Sequence, residues 1–346
     1  MTVMMIENRV SKRSKPVEVS ETRFYKETAE KPLDQWDSKA IEVAREDLME
    51  KFNDPDAEMI GGKQVEGIHE SVRRSIESDT AWQVLVSQTV MSRINAPLLE
   101  ETLPLQPKLL RKLSRGALNV AMDEGKAGKE GAELARMYVG MGKYQVPMNP
   151  DAWDGFQVER RKVLAALNQE GANPVILAGD SHNAWAHNLV DEEGKRLGVE
   201  FDGPAVTCIG AFEDIYSRFY EKAGRLAKLF PLYVFTPWIE DALKAANPDT
   251  LQYCNLWQRG FMVFHVTRRK FHTEYHYVSK VTKKEKYRHY CEATFEVHRD
   301  QKGHMVPAVR YITVDGAIPN RSQQKRSFFI RYTHDISQAM HKNFDW

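Results

Sequence analysis

Apolar and polar positions run along this chain in helical, continuous and alternating patterns, and each pattern predicts a different element. "VMMIE" at residues 3–7 is a short apolar run of the kind that forms a buried strand. After a polar stretch, Ile41, Ala44, Leu48 and Phe52 recur at helical spacing behind Ser38, a candidate N-cap, so residues 38–52 read as an amphipathic helix. Ile68, Val72 and Ile76, one turn apart, predict a second helix, and "WQVLVSQTVM" at 82–91 a buried strand. Helix followed by strand is the rhythm of an α/β layer.

Residues 96–150 break that rhythm. They are rich in Lys, Gly and Pro with a patchy helical pattern, which predicts an inserted helical cap or lid. The rhythm resumes at "WDGFQVERRKVLAALNQEG", where Val158, Val163, Leu164 and Leu167 predict a helix ended by Gly171. "PVILA" at 174–178 then reads as a strand buried on both faces, and "GPAVTCIG" at 203–210 as another. Residues 211–250 read as irregular or helical. From 256 onward "RGFMVFHVTRRKFHTEYHYV" turns to period two and aromatics, predicting an antiparallel hairpin. The stretch 281–346 ends in the basic, irregular "RSQQKRSFFIRYTHDISQAMHKNFDW" and reads as an appendage.

Charge and cysteine content narrow the function classes. With 49 basic and 48 acidic side chains, no global field favours nucleic acid or an anionic membrane. Cys208, Cys254 and Cys291 are far apart, odd in number and without a CxxC pair, which argues for reduced thiols over a disulfide framework or structural zinc site. No run approaches the roughly 20 apolar residues of a membrane span, and "MTVMMIENRVSKRSK" has no secretory apolar core.

The chemistry concentrates in "VILAGDSHNAWAHNL" at 175–189, where an apolar strand ends at Gly179 and Asp180, His182, Asn183 and His187 follow. Asp180 and His182 are two apart, so on an extended backbone they leave the chain on the same side. They would then lie at the carboxyl end of a strand, where α/β sheets build their sites. A carboxylate oxygen with an imidazole nitrogen suits iron, zinc or manganese, with calcium or magnesium beside it. The competing reading is a cap and a satisfied loop histidine. Asp151 and Asp154 resemble helix caps, His187 and Asn188 surface loop residues, and His265, His272 and His276 cross-strand packing positions.

At "ILAGDSHNAWAHNL" the chain resembles the PhoD-like alkaline phosphatases, a metallophosphatase family with a GD-x-H element at the end of a late strand. The likeness extends in order to "MMIENRVSKRSK", "WQVLVSQTVM", "WDGFQVERRKVLAAL", "VEFDGPAVTCIG" and "LWQRGFMVFHVT", over roughly residues 3–280. The resemblance implies an α/β fold that is part of a four-layer α/β/β/α sandwich, spanning 1–280 with the helical insertion at about 96–150 near the substrate mouth. It implies hydrolysis of phosphomonoesters or phosphodiesters by metal-bound hydroxide. Asp180 and His182 match the family's C-terminal metal ligands, Asn183 and Trp185 its site-shaping neighbours, and Arg9 an arginine near the site. The family is often exported.

The chain also departs from the family. The elements that precede the segment matched by "MMIENR" are absent: a cysteine or aspartate after Gly-Ser, an Asp followed by Tyr, an Asn, and an Asp-Asp-His-Glu type stretch. The chain is therefore expected to be the C-terminal portion of such a domain, either truncated or completed by a partner chain. The alternative is a noncatalytic α/β binding or interaction protein derived from that fold. A half-domain of this kind should expose an apolar sheet edge.

Overall fold

The structure, a computed structural model, describes residues 1–102, 108–208, 210, 236–278, 289–299 and 305–307. Its centre is a six-stranded sheet in the order β1-β2-β3-β5-β4-β6. The strands are β1 (Thr2–Met5), β2 (Gln83–Val86), β3 (Pro174–Ala178), β4 (Ala184–Val190), β5 (Arg196–Asp202) and β6 (Leu251–Asn255). β1, β2, β3 and β5 are parallel, whereas β4 runs antiparallel to both neighbours. A second, antiparallel sheet is built from β7 (Arg259–Val266), β8 (Lys270–Val278), β9 (His289–His298) and β10 (Met305–Pro307) in the order β10-β9-β8-β7. The predicted hairpin is thus the start of a larger sheet, and two segments of the expected 281–346 appendage are strands of it.

Each face of the first sheet has its own core. On one side Leu85 and Ile176 meet Ile68 and Val72 of α3 (Gly62–Glu77) and Val163, Leu164 and Leu167 of α6 (Gln157–Leu167). On the other side Val84, Val175, Val199 and Phe201 meet Phe271, Tyr275, Tyr277, Phe295 and Val297 of the second sheet. Val175 and Ile176 are both fully buried, as the continuous apolar run predicts, and burial of such a side chain contributes about 1.5–3 kcal/mol. Helices, sheet and sheet form three of the four expected layers among the described residues.

β1 departs from its expectation. It is an edge strand: Met4 joins the helix-side core, but Val3 and Met5 are 53% and 80% exposed. Val3 pairs with Val84, which belongs to the inter-sheet core, so the second sheet's cover stops short of β1.

The described residues between 96 and 150 include two helices. α4 (Lys108–Ala121) and α5 (Glu124–Lys143) follow one another, with Asp123 capping α5 by accepting from the Gly125 N–H. Met141 and Val146 pack with Phe24 of α1 (Arg23–Thr28) and with Ile41, Ala44, Leu48 and Phe52 of α2 (Ser38–Phe52). The cap of α2 is Asp37, whose carboxylate accepts from Lys39 and Ala40, so Ser38 is the first helical residue.

Several boundaries shift for identifiable reasons. The strand expected over 82–91 stops at Val86, because Ser87 and Thr89 spend their polar groups on the following loop. The strand expected at 203–210 lies earlier, at β5, where "RLGVEFD" pairs with both β3 and β4. The α6 helix ends at Leu167 with Asn168 as its C-cap, and Gly171 turns the chain afterwards at φ +83°. α7 (Thr236–Ala246) falls in the stretch read as irregular or helical; residues 209 and 211–235 lie outside the described residues, as does the basic terminal run.

Two close contacts set the approach to α6 and tie it to the start of α3. In Trp153-Asp154-Gly155 a β-carbon on Gly155 would lie 2.1 Å from the Pro150 carbonyl oxygen, so only glycine permits this approach. Glu159 of α6, itself buried, accepts the backbone N–H groups of Met59, of Ile60 at 2.9 Å and of Gly61 at 2.7 Å, just ahead of α3.

Candidate functional site

Because β1, β2 and β3 are parallel neighbours, the loops that follow them emerge at the same end of the sheet. That end of an open α/β sheet is where ligand sites form. The three loops carry residues 7–13, 87–91 and 179–183.

The first loop is wound around one carboxylate. Glu7 accepts the N–H groups of Arg9 (2.6 Å), Val10 (2.8 Å) and Ser11 (2.8 Å) and the Ser11 hydroxyl at 2.5 Å. These donors, the Ser11 hydroxyl first, hold the Glu7 carboxyl down at about 2. Gln64 of α3 grips the same residue from behind, accepting from its N–H and donating to its carbonyl at 2.9 and 2.8 Å. Asn8 is fully buried and joins the loop after β2, its side-chain amide donating to Thr89 Oγ1 at 2.8 Å and its backbone N–H to Gln88 Oε1 at 2.9 Å.

Arg9 then spans to the third loop. Its guanidinium donates to Asp151 at 2.7 Å and to Asp180. Arg13 completes the row, donating to the Asp151 carbonyl at 2.6 Å and carboxylate at 2.5 Å, to the Asn8 carbonyl at 3.1 Å, and lying over the Phe156 ring. The result is a line of alternating charge, Arg13–Asp151–Arg9–Asp180. Asp151 is therefore an ion-pair residue of this rim and caps no helix. Asp154 caps none either: it is buried, accepts from the Ile94 and Asn149 N–H groups at 3.2 Å each, and burial pushes its carboxyl up to about 7.

β3 ends at Ala178, and Asp180 and His182 both take the left-handed backbone conformation, at φ +65° and +60°. The period-two argument for their shared side therefore does not apply, because the backbone has already left the extended region. Non-glycine residues pay for this conformation and concentrate at sites whose surroundings enforce it. Here the enforcement is visible. Ser181 between them accepts the indole N–H of the buried Trp185 at 2.9 Å, and Asn183 donates to the Leu256 carbonyl at 2.8 Å. Asn183 and Trp185 thus brace the loop from below, while Asp180 and His182 are exposed on it.

His187 and Asn188, expected on a surface loop, are buried within β4. His187 lies opposite Glu200, and burial, aided by Arg160, pushes its imidazole down to about 3. Glu200 accepts the Met91 and Ser92 N–H groups at 2.6 Å each, and Arg160 donates to the Met91 carbonyl at 2.6 Å. Asp202, next on the same strand face, is pushed well above the usual carboxylate range by burial and by Glu200.

Sequence reasoning named Arg9, Asp180, His182, Asn183 and Trp185, and all belong to this end of the sheet. It missed Glu7, Asn8 and Arg13, and it read Asp151 as a helix cap. Only Glu7 left a local signal, a carboxylate followed four positions on by a serine. Among the described residues no group of three or more His, Cys, Asp or Glu side chains is arranged to hold a metal ion. Asp180 and His182 offer the donor types a metallophosphatase needs, but as a pair they make part of a ligand set.

Comparison with known proteins agrees with the fold. The sequence model of the PhoD-like phosphatases matches residues 1–275. A 65-residue stretch is 40% identical to alkaline phosphatase D of Bacillus subtilis (strain 168), covering 17% of this chain and 11% of that protein. The solved structure of PhoD superposes with a TM-score of 0.51 at 17% identity, over 99% of this chain and 48% of that one. The chain thus spans less than half the length of the relatives it matches.

Proposed function

The chain belongs to the PhoD-like phosphatase family, and from that membership we propose that it serves the hydrolysis of phosphate esters at the rim formed by Arg9, Asp180 and His182. The observation that carries the reading is the meeting of Arg9 and Asp180, 171 positions apart, at the shared end of parallel strands. A planar guanidinium there can bind two oxygens of a phosphoryl group in a fork. Asp180 and His182 are the residues that would hold a metal ion, iron, zinc or manganese with or without calcium. Such an ion, when bound, would neutralise phosphoryl charge and make water a better nucleophile. Further donors would come from groups other than the described ones, in a segment or partner chain that completes the set. Asn183 and Trp185 keep the loop in its left-handed course.

The test is hydrolysis of an aryl phosphate monoester and a diester by the full chain, with and without each metal, alongside direct metal titration. Metal-dependent turnover that falls at least about 100-fold in Asp180→Asn supports the reading. Metal binding identical in Asp180→Asn and the parent would remove Asp180 from the site. The second reading, a noncatalytic α/β interaction protein, is favoured by the shortage of such donors among the described residues. It predicts a chain that binds neither metal nor phosphate.

A further inference from the structure

One carboxylate at the rim is divided between two arginines. Asp151 Oδ2 accepts from Arg9 Nη1 at 2.7 Å, and Asp151 Oδ1 accepts from Arg13 Nη2 at 2.5 Å. Two guanidiniums, each holding one oxygen of an O–C–O group, are equally able to hold an O–P–O group, because carboxylate and phosphoryl oxygens accept the same charge-assisted hydrogen bonds. The Asp151 carboxylate therefore stands where a phosphoryl group could bind.

The three side chains differ in how they are held. Arg13 has 8% side-chain exposure and three holds that do not depend on the Asp151 carboxylate. It donates to the Asn8 carbonyl and to the Asp151 backbone carbonyl, and its guanidinium lies 5.2 Å from the centre of the Phe156 ring. Arg9 is tied through Nη2 to Asp180. The Asp151 side chain is 55% exposed, and among the described residues its carboxylate accepts only from the two arginines. It can turn out into water at little cost while both guanidiniums stay in place.

Charge and oxygen count narrow what would take its place. With Asp151 seated, the row Arg13–Asp151–Arg9–Asp180 is balanced and attracts an anion little; with Asp151 turned out, two guanidiniums face the gap against Asp180 alone. A phosphomonoester carries nearly two negative charges at neutral pH and three unesterified oxygens, enough for both guanidiniums and for the side of the rim where Asp180 and His182 stand. A diester carries one charge and two such oxygens.

We propose, on the reading of this rim as a phosphate-ester site, that Arg9 and Arg13 form a two-guanidinium seat for the terminal phosphoryl group of a monoester, and that Asp151 occupies this seat until the substrate displaces it. Arg13 is then a second phosphoryl-binding residue, and Asp151 is an internal competitor that lowers the affinity of the rim for anions in proportion to the time it spends seated.

Calorimetric titration of the full chain with inorganic phosphate at about pH 8 tests this, with dimethyl phosphate as the monoanionic diester probe. Asp151→Ala removes the competitor and keeps the backbone carbonyl that holds Arg13. It should bind phosphate about fivefold or more tightly than the parent, the factor that one exposed ion pair can withhold. A merely structural role for Asp151 would act in the opposite direction, since loosening the rim weakens binding. Arg13→Gln should weaken phosphate binding by about tenfold or more, and the parent should prefer phosphate to dimethyl phosphate by a similar factor. Phosphate affinity that is unchanged or weaker in Asp151→Ala overturns the proposal, as does equal affinity of the parent for the two anions. If Arg9→Ala still weakens phosphate binding in that case, the phosphate-ester reading of the rim stands without the seat; if Arg9→Ala is without effect as well, both fall. The comparison of Asp151→Ala with the parent decides the matter even if Arg13→Gln does not fold.

Discussion

Arg9 and Asp180 form an ion pair that closes the gap between the loops following β1 and β3, with Asp151 gripping the other side of the same guanidinium at 2.7 Å. The pair is partly open, at 28% and 38% side-chain exposure, so its worth to folding is small, roughly 0–1 kcal/mol. Its placement at the ligand end of the sheet points to binding.

Arg9→Ala should therefore leave the melting temperature within about 3 °C of the parent. The apparent affinity for inorganic phosphate, or KM for an aryl phosphate, should weaken by about tenfold or more, the scale of a lost charged hydrogen bond. Arg9→Lys should recover only part of it, because an ammonium cannot form the fork. Calorimetric titration with inorganic phosphate checks both, and an unchanged affinity in Arg9→Ala would take the guanidinium out of the binding step.

Glu7 should make the first loop acid-sensitive. Its carboxyl is held at about 2 against an ordinary 4.5, so its contribution is complete above about pH 4.5 and drains away as pH falls toward 2. The parent should lose more stability than Glu7→Gln over that window, and thermal melts at stepped pH measure the difference. Parallel curves would mean that the Glu7 contacts do not persist in solution.

Asp154 works with the opposite sign. Burial raises its carboxyl from 3.8 to about 7, so the protonated form suits the fold and stability falls as pH climbs from about 4 to about 7. Asp154→Asn, which keeps an acceptor for one of the Ile94 and Asn149 N–H groups but not for both, since they meet different carboxylate oxygens, should remove that fall while lowering stability at about pH 5. Denaturant midpoints at pH 5 and pH 8 provide the comparison.

The edge strand β1 should make the chain adhesive. A backbone edge that no strand pairs among the described residues, flanked by Val3 and Met5, invites strand addition. Sedimentation velocity should show association growing with concentration, and Met5→Lys should reduce it without lowering the melting temperature. Equal association in both chains would assign the contact to another surface.

Legibility from the sequence followed how local each cause was. The helices at 38–52 and 157–167 and the strand "PVILA" rest on spacing within a single element, and they stand close to where the pattern puts them. β4 was hidden because "AWAHNLV" buries His187 and Asn188, so its polar letters resemble a loop. Asp180 and His182 were visible as types at a strand end, but their left-handed backbone depends on Trp185 and Asn183 from below. Arg13–Asp151, 138 positions apart, and the convergence of His265, His272 and His276 on Glu274 are products of topology and leave no mark in a window of sequence.

Glu159 shows what that topology transmits. It holds the backbone where α3 begins, and two residues into that helix Gln64 clasps Glu7, the hub of the Arg9 loop. A side chain in the helical layer is thereby two grips removed from the guanidinium at the rim. The helices that cover the back of the sheet are thus joined by hydrogen bonds to the loop that carries Arg9 at its front.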